Sequence, residues 1–190
     1  MRIIGGRFKG RVLEVPSDDE IRPTSDRLRE TIFNILAHAY EDPVTDAAVI
    51  DLYAGTGAMG LEALSRGART ALFIETAGKA RALIRANIDA LGLGGVTQIF
   101  RRDARKLGQA LSGEQFSLAF LDPPYGKGFA EQALIVLHDG GWLTPEALVV
   151  VEESLEVELN VPESYRLLET RAYGTTKILF ARFFPVSHHF

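Results

Sequence analysis

The chain contains no cysteine. That excludes disulfides, thiolate zinc sites, iron–sulfur clusters and every mechanism with a cysteine nucleophile. Long apolar runs are missing as well, and nothing approaches a membrane span. The opening Met1-Arg2-Ile3-Ile4-Gly5-Gly6-Arg7 has no continuous hydrophobic segment, so no secretory signal is expected there. A cytoplasmic protein without membrane contact is the expectation. Nor is there an excess of positive charge: the net charge of −4 argues against a protein that coats nucleic acid indiscriminately. Basic residues are unevenly placed, however. Arg2, Arg7, Lys9 and Arg11 fall within residues 1–13 without an acid, and Arg101, Arg102, Arg105 and Lys106 surround only Asp103. Both clusters suit phosphate contacts, although either alone also suits a solvated face.

What is present is an ordinary soluble composition, 46% apolar and 24% charged over 190 residues, enough for one domain with a real core. Apolar and polar residues alternate through 1–15 around Gly5-Gly6 and Lys9-Gly10, which predicts a short β-hairpin. Pro16 to Pro23 reads as an acidic loop. Thr24, Ser25 and Asp26 then offer caps to a helix whose Leu28, Ile32, Phe33, Ile35 and Leu36 share one face, ended by Glu41-Asp42-Pro43. Residues 1–43 therefore read as an N-terminal extension, and 44–190 as the main domain.

From Ala47 onward, strand, turn and helix repeat. Strands are predicted at 48–52, 70–75, 96–101, 116–121 and 147–151, and helices through Arg66, over 79–91 and over 130–138, with a short helix after the third strand. Residues 165–172 and 176–183 form a final antiparallel pair around Gly174. Such alternation predicts an α/β fold with a mostly parallel sheet and helices on both faces.

Gly55-Thr56-Gly57-Ala58-Met59-Gly60 fits the G-x-G-x-x-G pattern after a strand and before a helix. Dinucleotide sites use that pattern to seat a pyrophosphate on a helix N-terminus. Here Asp51, Tyr53 and an extra turn intervene, and Asp51 would repel a phosphate but welcome a cation. S-adenosylmethionine carries a sulfonium and an ammonium and no phosphate, so it suits the loop better. Glu75, ending the second strand, is placed to accept from both hydroxyls of a ribose. Asp103, ending the third, is placed to accept from an adenine amine, with the Ala104 N–H available to a ring nitrogen. No metal site is expected.

Asp122-Pro123-Pro124-Tyr125 follows the apolar strand Phe116–Leu121. Two prolines stop that strand abruptly and present an acid, a rigid carbonyl and a ring at its carboxyl end, the edge where ligands bind in an α/β sheet. An exocyclic amine on a nucleobase is a poor nucleophile because its lone pair is delocalised. Accepting hydrogen bonds from its NH₂ group orients that lone pair towards an electrophile. Asp122 and the Pro123 carbonyl supply two acceptors, Pro124 holds the backbone rigid, and Tyr125 offers a face for stacking.

Asp122-Pro123-Pro124-Tyr125 is similar to the (Asn/Asp)-Pro-Pro-(Tyr/Phe) motif of S-adenosylmethionine-dependent amino-methyltransferases. Together with Arg2-Ile3-Ile4-Gly5-Gly6-Arg7-Phe8-Lys9-Gly10-Arg11, Ile21-Arg22-Pro23-Thr24-Ser25-Asp26-Arg27-Leu28-Arg29-Glu30-Thr31-Ile32-Phe33-Asn34 and Asp51-Leu52-Tyr53-Ala54-Gly55-Thr56-Gly57, it resembles the RsmD family of bacterial 16S rRNA guanine-N2 methyltransferases from residue 1 to about residue 183. The resemblance implies a class I fold with a seven-stranded sheet containing one antiparallel strand. It also implies that Asp122 to Tyr125 hold the target guanine, and that the loop from Asp51 through Tyr53, Ala54, Gly55, Thr56 and Gly57, with Glu75 and Asp103, binds the cofactor. Arg22, Pro23 and Thr24 are implied to lie near that pocket, and the basic hairpin to dock RNA.

The expected partner is 16S rRNA within a folded or partly assembled small-subunit particle, contacted through the hairpin and Arg101–Lys106, by a monomer. Alternatives are a DNA adenine-N6 methyltransferase, a protein glutamine methyltransferase, a non-catalytic RNA-binding assembly factor and a nicotinamide oxidoreductase. The first usually needs an extra target-recognition domain, and no insertion here is large enough. His188-His189 near the C-terminus has no assigned role.

Overall fold

The computed structural model describes residues 1–17 and 24–185. Arg22, Pro23 and the His188-His189 pair lie outside the described residues. The chain opens with a narrow antiparallel hairpin. One bridge, Arg2 to Val12, closes it, and the Ile3 and Leu13 N–H groups donate to the carbonyls of Arg11 and Met1 at 3.0 and 2.9 Å. Helix α1 (Asp26–Ala39) follows, capped by Ser25, whose hydroxyl accepts from the Leu28 N–H at 3.1 Å.

Seven strands make one sheet: β1 (Ala48–Leu52), β2 (Thr70–Ile74), β3 (Thr97–Phe100), β4 (Phe116–Leu121), β5 (Leu143–Ser154), β6 (Tyr165–Tyr173) and β7 (Thr176–Phe183). Their spatial order is β3-β2-β1-β4-β5-β7-β6, with β7 antiparallel to both of its neighbours and the other pairings parallel. The connections after β1, β2 and β4 carry α2 (Ala58–Ser65), α3 (Gly78–Leu91) and α4 (Phe129–Asp139).

Alternating strand residues build two cores, as the twofold side-chain period of a strand requires. Val49, Phe73, Phe120, Val150 and Phe180 point to the face covered by α1, α2, α3 and the buried Ile3 and Leu13 of the hairpin. Ile50, Leu72, Leu121, Val149 and Leu179 point to the face covered by α4 and Trp142. The N-terminal extension thus closes the first core: Phe33 of α1 meets Phe120 at 5.6 Å between ring centroids, and Tyr40 stacks on Phe180 at 5.2 Å.

Three local expectations need correction. No helix follows β3. There the Asp103 side chain accepts from the Arg105 N–H, and the Gly108 carbonyl and Ala110 N–H bond to Trp142 and Gly140 at the α4–β5 corner, so local helical bonds lose their partners. Strand β3 is shorter than expected because a 3-10 turn, Gly94–Val96, takes its first residue. Strand β5 starts earlier, at Leu143; Pro145 and the positive-φ Glu146 (65°) are absorbed where the β4–β5 register shifts.

Candidate active site

All five parallel strands release the chain at the same edge, and the segments leaving them enclose a cavity of about 560 Å³. Strand order reverses between β1 and β4, so this is the switch-point crevice where α/β sheets bind ligands. Each strand contributes: Tyr53 to Thr56 after β1, Glu75 to Ala77 after β2, Arg102 to Arg105 after β3, Asp122 to Tyr125 after β4, and Glu152 near the end of β5. Thr24, leading into α1, closes one side.

The β1–α2 loop is built around its acid. Asp51 is buried (3% exposed), and its Oδ2 accepts from the Gly60 N–H at 3.0 Å. This occupies the start of α2 with a carboxylate, where a dinucleotide site would leave amides free for phosphate. Burial pushes the Asp51 carboxyl up to about 8, the Gly60 bond opposes the shift, and the negative charge of Glu75 adds to it. Gly60 has to be glycine: a Cβ there would sit 2.4 Å from the Phe73 ring and 3.3 Å from Asp51 Oδ2. Gly57 turns the chain into α2 at φ 80°, a conformation that favours glycine.

Glu75 is held by two backbone donors, the N–H groups of Gly55 at 2.9 Å and Ala77 at 3.0 Å. It is half-buried and lines the cavity, in the position expected for a ribose acceptor. Tyr53 stacks on Phe129, with its hydroxyl buried and lacking a hydrogen-bond partner among the described residues. Burial, then the charge of Asp103, push this phenol up to about 12, against Arg105. An apolar slot with fixed acids and no seat for phosphate fits S-adenosylmethionine, and the Tyr53 hydroxyl is a polar atom left for a ligand to satisfy.

Asp103 lies in the wall, but both carboxylate oxygens already accept from Arg105, at 3.0 and 2.7 Å. That bond holds its carboxyl below the usual range. The Arg105 guanidinium in turn covers Phe129 at 3.9 Å from the ring centroid. Ala104 is buried beside it.

On the other side, Asp122, just after β4, and Glu152, in β5, each lie one step past the Leu121–Val151 pair. Thr24 Oγ1 lies 3.4 Å from Asp122 Oδ2 and 3.3 Å from Glu152 Oε2, bridging them. The Tyr125 hydroxyl donates to Glu152 Oε1 at 2.7 Å and lies 3.3 Å from the Thr176 hydroxyl. Burial, then the adjacent Glu152 charge, hold the Asp122 carboxyl well above the usual carboxylate range, while the Thr24 bond opposes this. The Tyr125 phenol is raised above its ordinary value, again chiefly by burial.

The fold does not bring the two basic clusters together. Arg7 and Arg11 are tied through the Arg7 N–H and the Arg11 side chain to the carbonyls of Ser65 and Ala90, in the last turns of α2 and α3 at the far edge of the sheet. Arg2 bonds Gly10 through its side chain and Asp26 through its N–H, and Lys9 is exposed. Arg101 is exposed, and its neighbour Arg102 lines the cavity, with its guanidinium over the Phe100 ring. Sequence reasoning missed Glu152, Phe129 and Met59 as lining residues. Glu152 ends an apolar strand as Asp122 does, so the same signal could have found it.

A seven-stranded sheet with this order, one antiparallel strand and a ligand crevice at the β1/β4 switch defines a class I methyltransferase fold. The family described as "Conserved hypothetical protein 95" matches residues 1–182, and the chain belongs to it. Over 175 residues the chain is 39% identical to ribosomal RNA small subunit methyltransferase D of Escherichia coli K12, covering 92% of this chain and 85% of that protein. The Haemophilus influenzae protein of the same name is 34% identical over 92% of this chain and 89% of its own length. The solved structure of Escherichia coli yhhF superposes with a TM-score of 0.84 at 34% identity, covering 98% of this chain and 99% of that one.

Proposed function

We propose that this protein transfers a methyl group from S-adenosylmethionine to the N2 amine of one guanosine in 16S rRNA. The observation that carries this is that Asp122 and Pro123 line the same crevice as the Asp51 loop, which has an acid where a phosphate seat would be. Relatives named ribosomal RNA small subunit methyltransferase D over nearly the whole chain support the choice of RNA. When bound, S-adenosylmethionine supplies an electrophilic methyl on a sulfonium, and the C–S electron pair leaves with sulfur as N2 bonds to carbon.

The chain's own residues do the rest. Asp51 provides negative charge for the cationic ligand, Glu75 holds its ribose, and Tyr53 and Phe129 give an apolar wall. Asp103, through lone pairs left beside its Arg105 bonds, and the Ala104 N–H address the adenine. Arg22, two residues before Thr24 in the sequence, is assigned to the cofactor in this reading. Tyr125 stacks on the guanine, while Asp122 and the Pro123 carbonyl accept from its amine and fix the lone pair towards the methyl group. The amine carries a surplus proton after transfer, and Asp122 in its ionised form, made the stronger base by burial and the Glu152 charge, is placed to take it.

A guanine inside a duplex is out of reach, so the target is unpaired or flipped. The separated basic clusters, Arg2 to Arg11 and Arg101 with Arg102, then contact phosphates at two ends of a folded RNA, within an assembling particle in the cytoplasm. In this division of labour, residues 1–43 dock and brace while 44–190, acting as a monomer, carry out the transfer.

The test is mass mapping of 16S rRNA from a strain lacking the gene, which should lose one guanine N2-methyl group. Re-expressed wild-type protein should restore it. Asp122→Ala should slow transfer by about 10²-fold or more, the scale of a lost orienting and proton-accepting group. Wild-type rates from Asp122→Ala would end the assignment.

A further inference from the structure

We propose that Glu152 is a second base-reading carboxylate, which accepts the N1–H of the target guanine beside Asp122 and so makes the site specific for guanine over other purine amines. This rests on the reading of the cavity as a guanine-N2 methyltransferase site.

Three observations converge. Asp122, the residue after β4, and Glu152 of β5 each follow the Leu121–Val151 pair by one position, and their carboxyl groups are hydrogen-bonded to each other. Both line the cavity, and Thr24 Oγ1 bridges them at 3.4 and 3.3 Å. The Tyr125 hydroxyl donates to Glu152 Oε1 at 2.7 Å, so the ring proposed to stack on the base and the acid proposed to read its edge are fixed to each other. Glu152 thus meets Tyr125, Thr24 and the Asp122 carboxyl, and of the roughly four lone-pair sites of a carboxylate keeps capacity for one further donor.

Guanine is the purine that matches. Its Watson–Crick edge presents N1–H and the N2 amine as neighbouring donors, which two adjacent acceptors satisfy together. Adenine sets a lone pair on N1 beside its amine, and 2-aminopurine sets a lone pair on N1 beside its 2-amine. Either lone pair would face the Glu152 carboxylate. A site built to receive a donor discriminates strongly against an analogue that lacks it, because the buried acceptor is left unpaired. Glu152 therefore excludes the adenine-amine chemistry that Asp-Pro-Pro-Tyr alone would allow.

The test replaces the mapped guanosine by 2-aminopurine through splinted ligation of 16S rRNA, and compares methyl transfer by wild-type protein and Glu152→Gln. The glutamine keeps length and can hold Tyr125 and Thr24, but its amide can also donate to a bare N1. Wild-type protein should prefer guanosine over 2-aminopurine by about 10-fold or more in kcat/KM, the scale of one good base contact. Glu152→Gln should lose about 10- to 100-fold on guanosine and narrow that preference to within about threefold. Equal slowing on both substrates would make Glu152 a brace for Tyr125 and overturn the proposal. So would wild-type protein that treats the two bases alike, a result that needs no variant to fold. Failure of the wild-type protein to methylate any 16S guanine would instead remove the parent reading.

Discussion

With Asp51 as the counter-charge to a bound cationic cofactor, binding should release protons. Its carboxyl is pushed to about 8 by burial, so at pH 7 about 0.9 of the free protein holds a proton there. A cation seated within reach lowers a carboxyl pKa by about 1–3 units. The bound-state value is then about 7 to 5, and binding at pH 7 expels about 0.4 to 0.9 proton. The same numbers make binding tighten by about 5- to 50-fold between pH 6 and pH 8. Isothermal titration of S-adenosylmethionine in phosphate and in Tris reads the proton count as the slope of observed enthalpy against buffer ionisation enthalpy. The ligand's own amino group titrates near pH 8, so the Asp51-dependent part is the difference between wild-type protein and Asp51→Asn. Asparagine keeps an acceptor for the Gly60 N–H and removes the titration.

The sign extends to stability without ligand. The folded-state value of Asp51, about 8, lies above the unfolded value near 4, so the folded state binds more protons between them. The Asp51 contribution is most favourable below about pH 4 and is lost as pH rises to about 8. Asp51→Asn should flatten that slope in urea unfolding. An enthalpy independent of buffer at pH 7, or one unchanged by Asp51→Asn, would refute the counter-charge role.

Further outcomes follow from the brace around Glu62 and from the glycine cradle. Glu62 and Arg29 are both fully buried and paired at 3.0 Å, and Glu62 also accepts from Ile4 N–H, Gly5 N–H and Arg66 Nε. Glu62→Ala strands the Arg29 charge, so denaturant unfolding should show a loss of about 3–5 kcal/mol; a loss under about 1 kcal/mol would mean that Asp26 and the Arg2 carbonyl suffice. Gly60→Ala drives a methyl into Phe73 and should cost about 1–3 kcal/mol, with cofactor affinity falling as Asp51 is displaced; unchanged affinity by titration would clear the cradle of that role. Arg101→Ala with Arg102→Ala should reduce the salt dependence of 16S rRNA binding by about one unit of slope per lost phosphate contact, and an unchanged slope would return that cluster to solvent.

How far the site could be read before folding depends on how local its signals are. Asp51 and Glu75 lie at the carboxyl ends of apolar runs, Asp103 lies just past the third strand, and Asp122 is followed by two prolines; acids at strand ends need only the α/β pattern to be placed on one edge, and the fold places them on one cavity. Arg105 is different in kind. It stood in plain view two residues after Asp103, yet only the turn there shows that it occupies both oxygens of the acid expected to meet adenine. The Glu152 pairing with Asp122 depends on β5 lying beside β4 in one register, and the crossover through α4 sets that register. The Glu62 brace joins Ile4, Gly5, Arg29 and Arg66, separated segments whose meeting no local pattern marks. Residues 1–43 read as an extension with an apolar helix face of its own, but what that face covers is not local: Ile3, Leu13, Phe33 and Leu36 are buried against the sheet, and Thr24 bridges the two acids. The extension therefore reaches the reacting edge as well as the back of the domain.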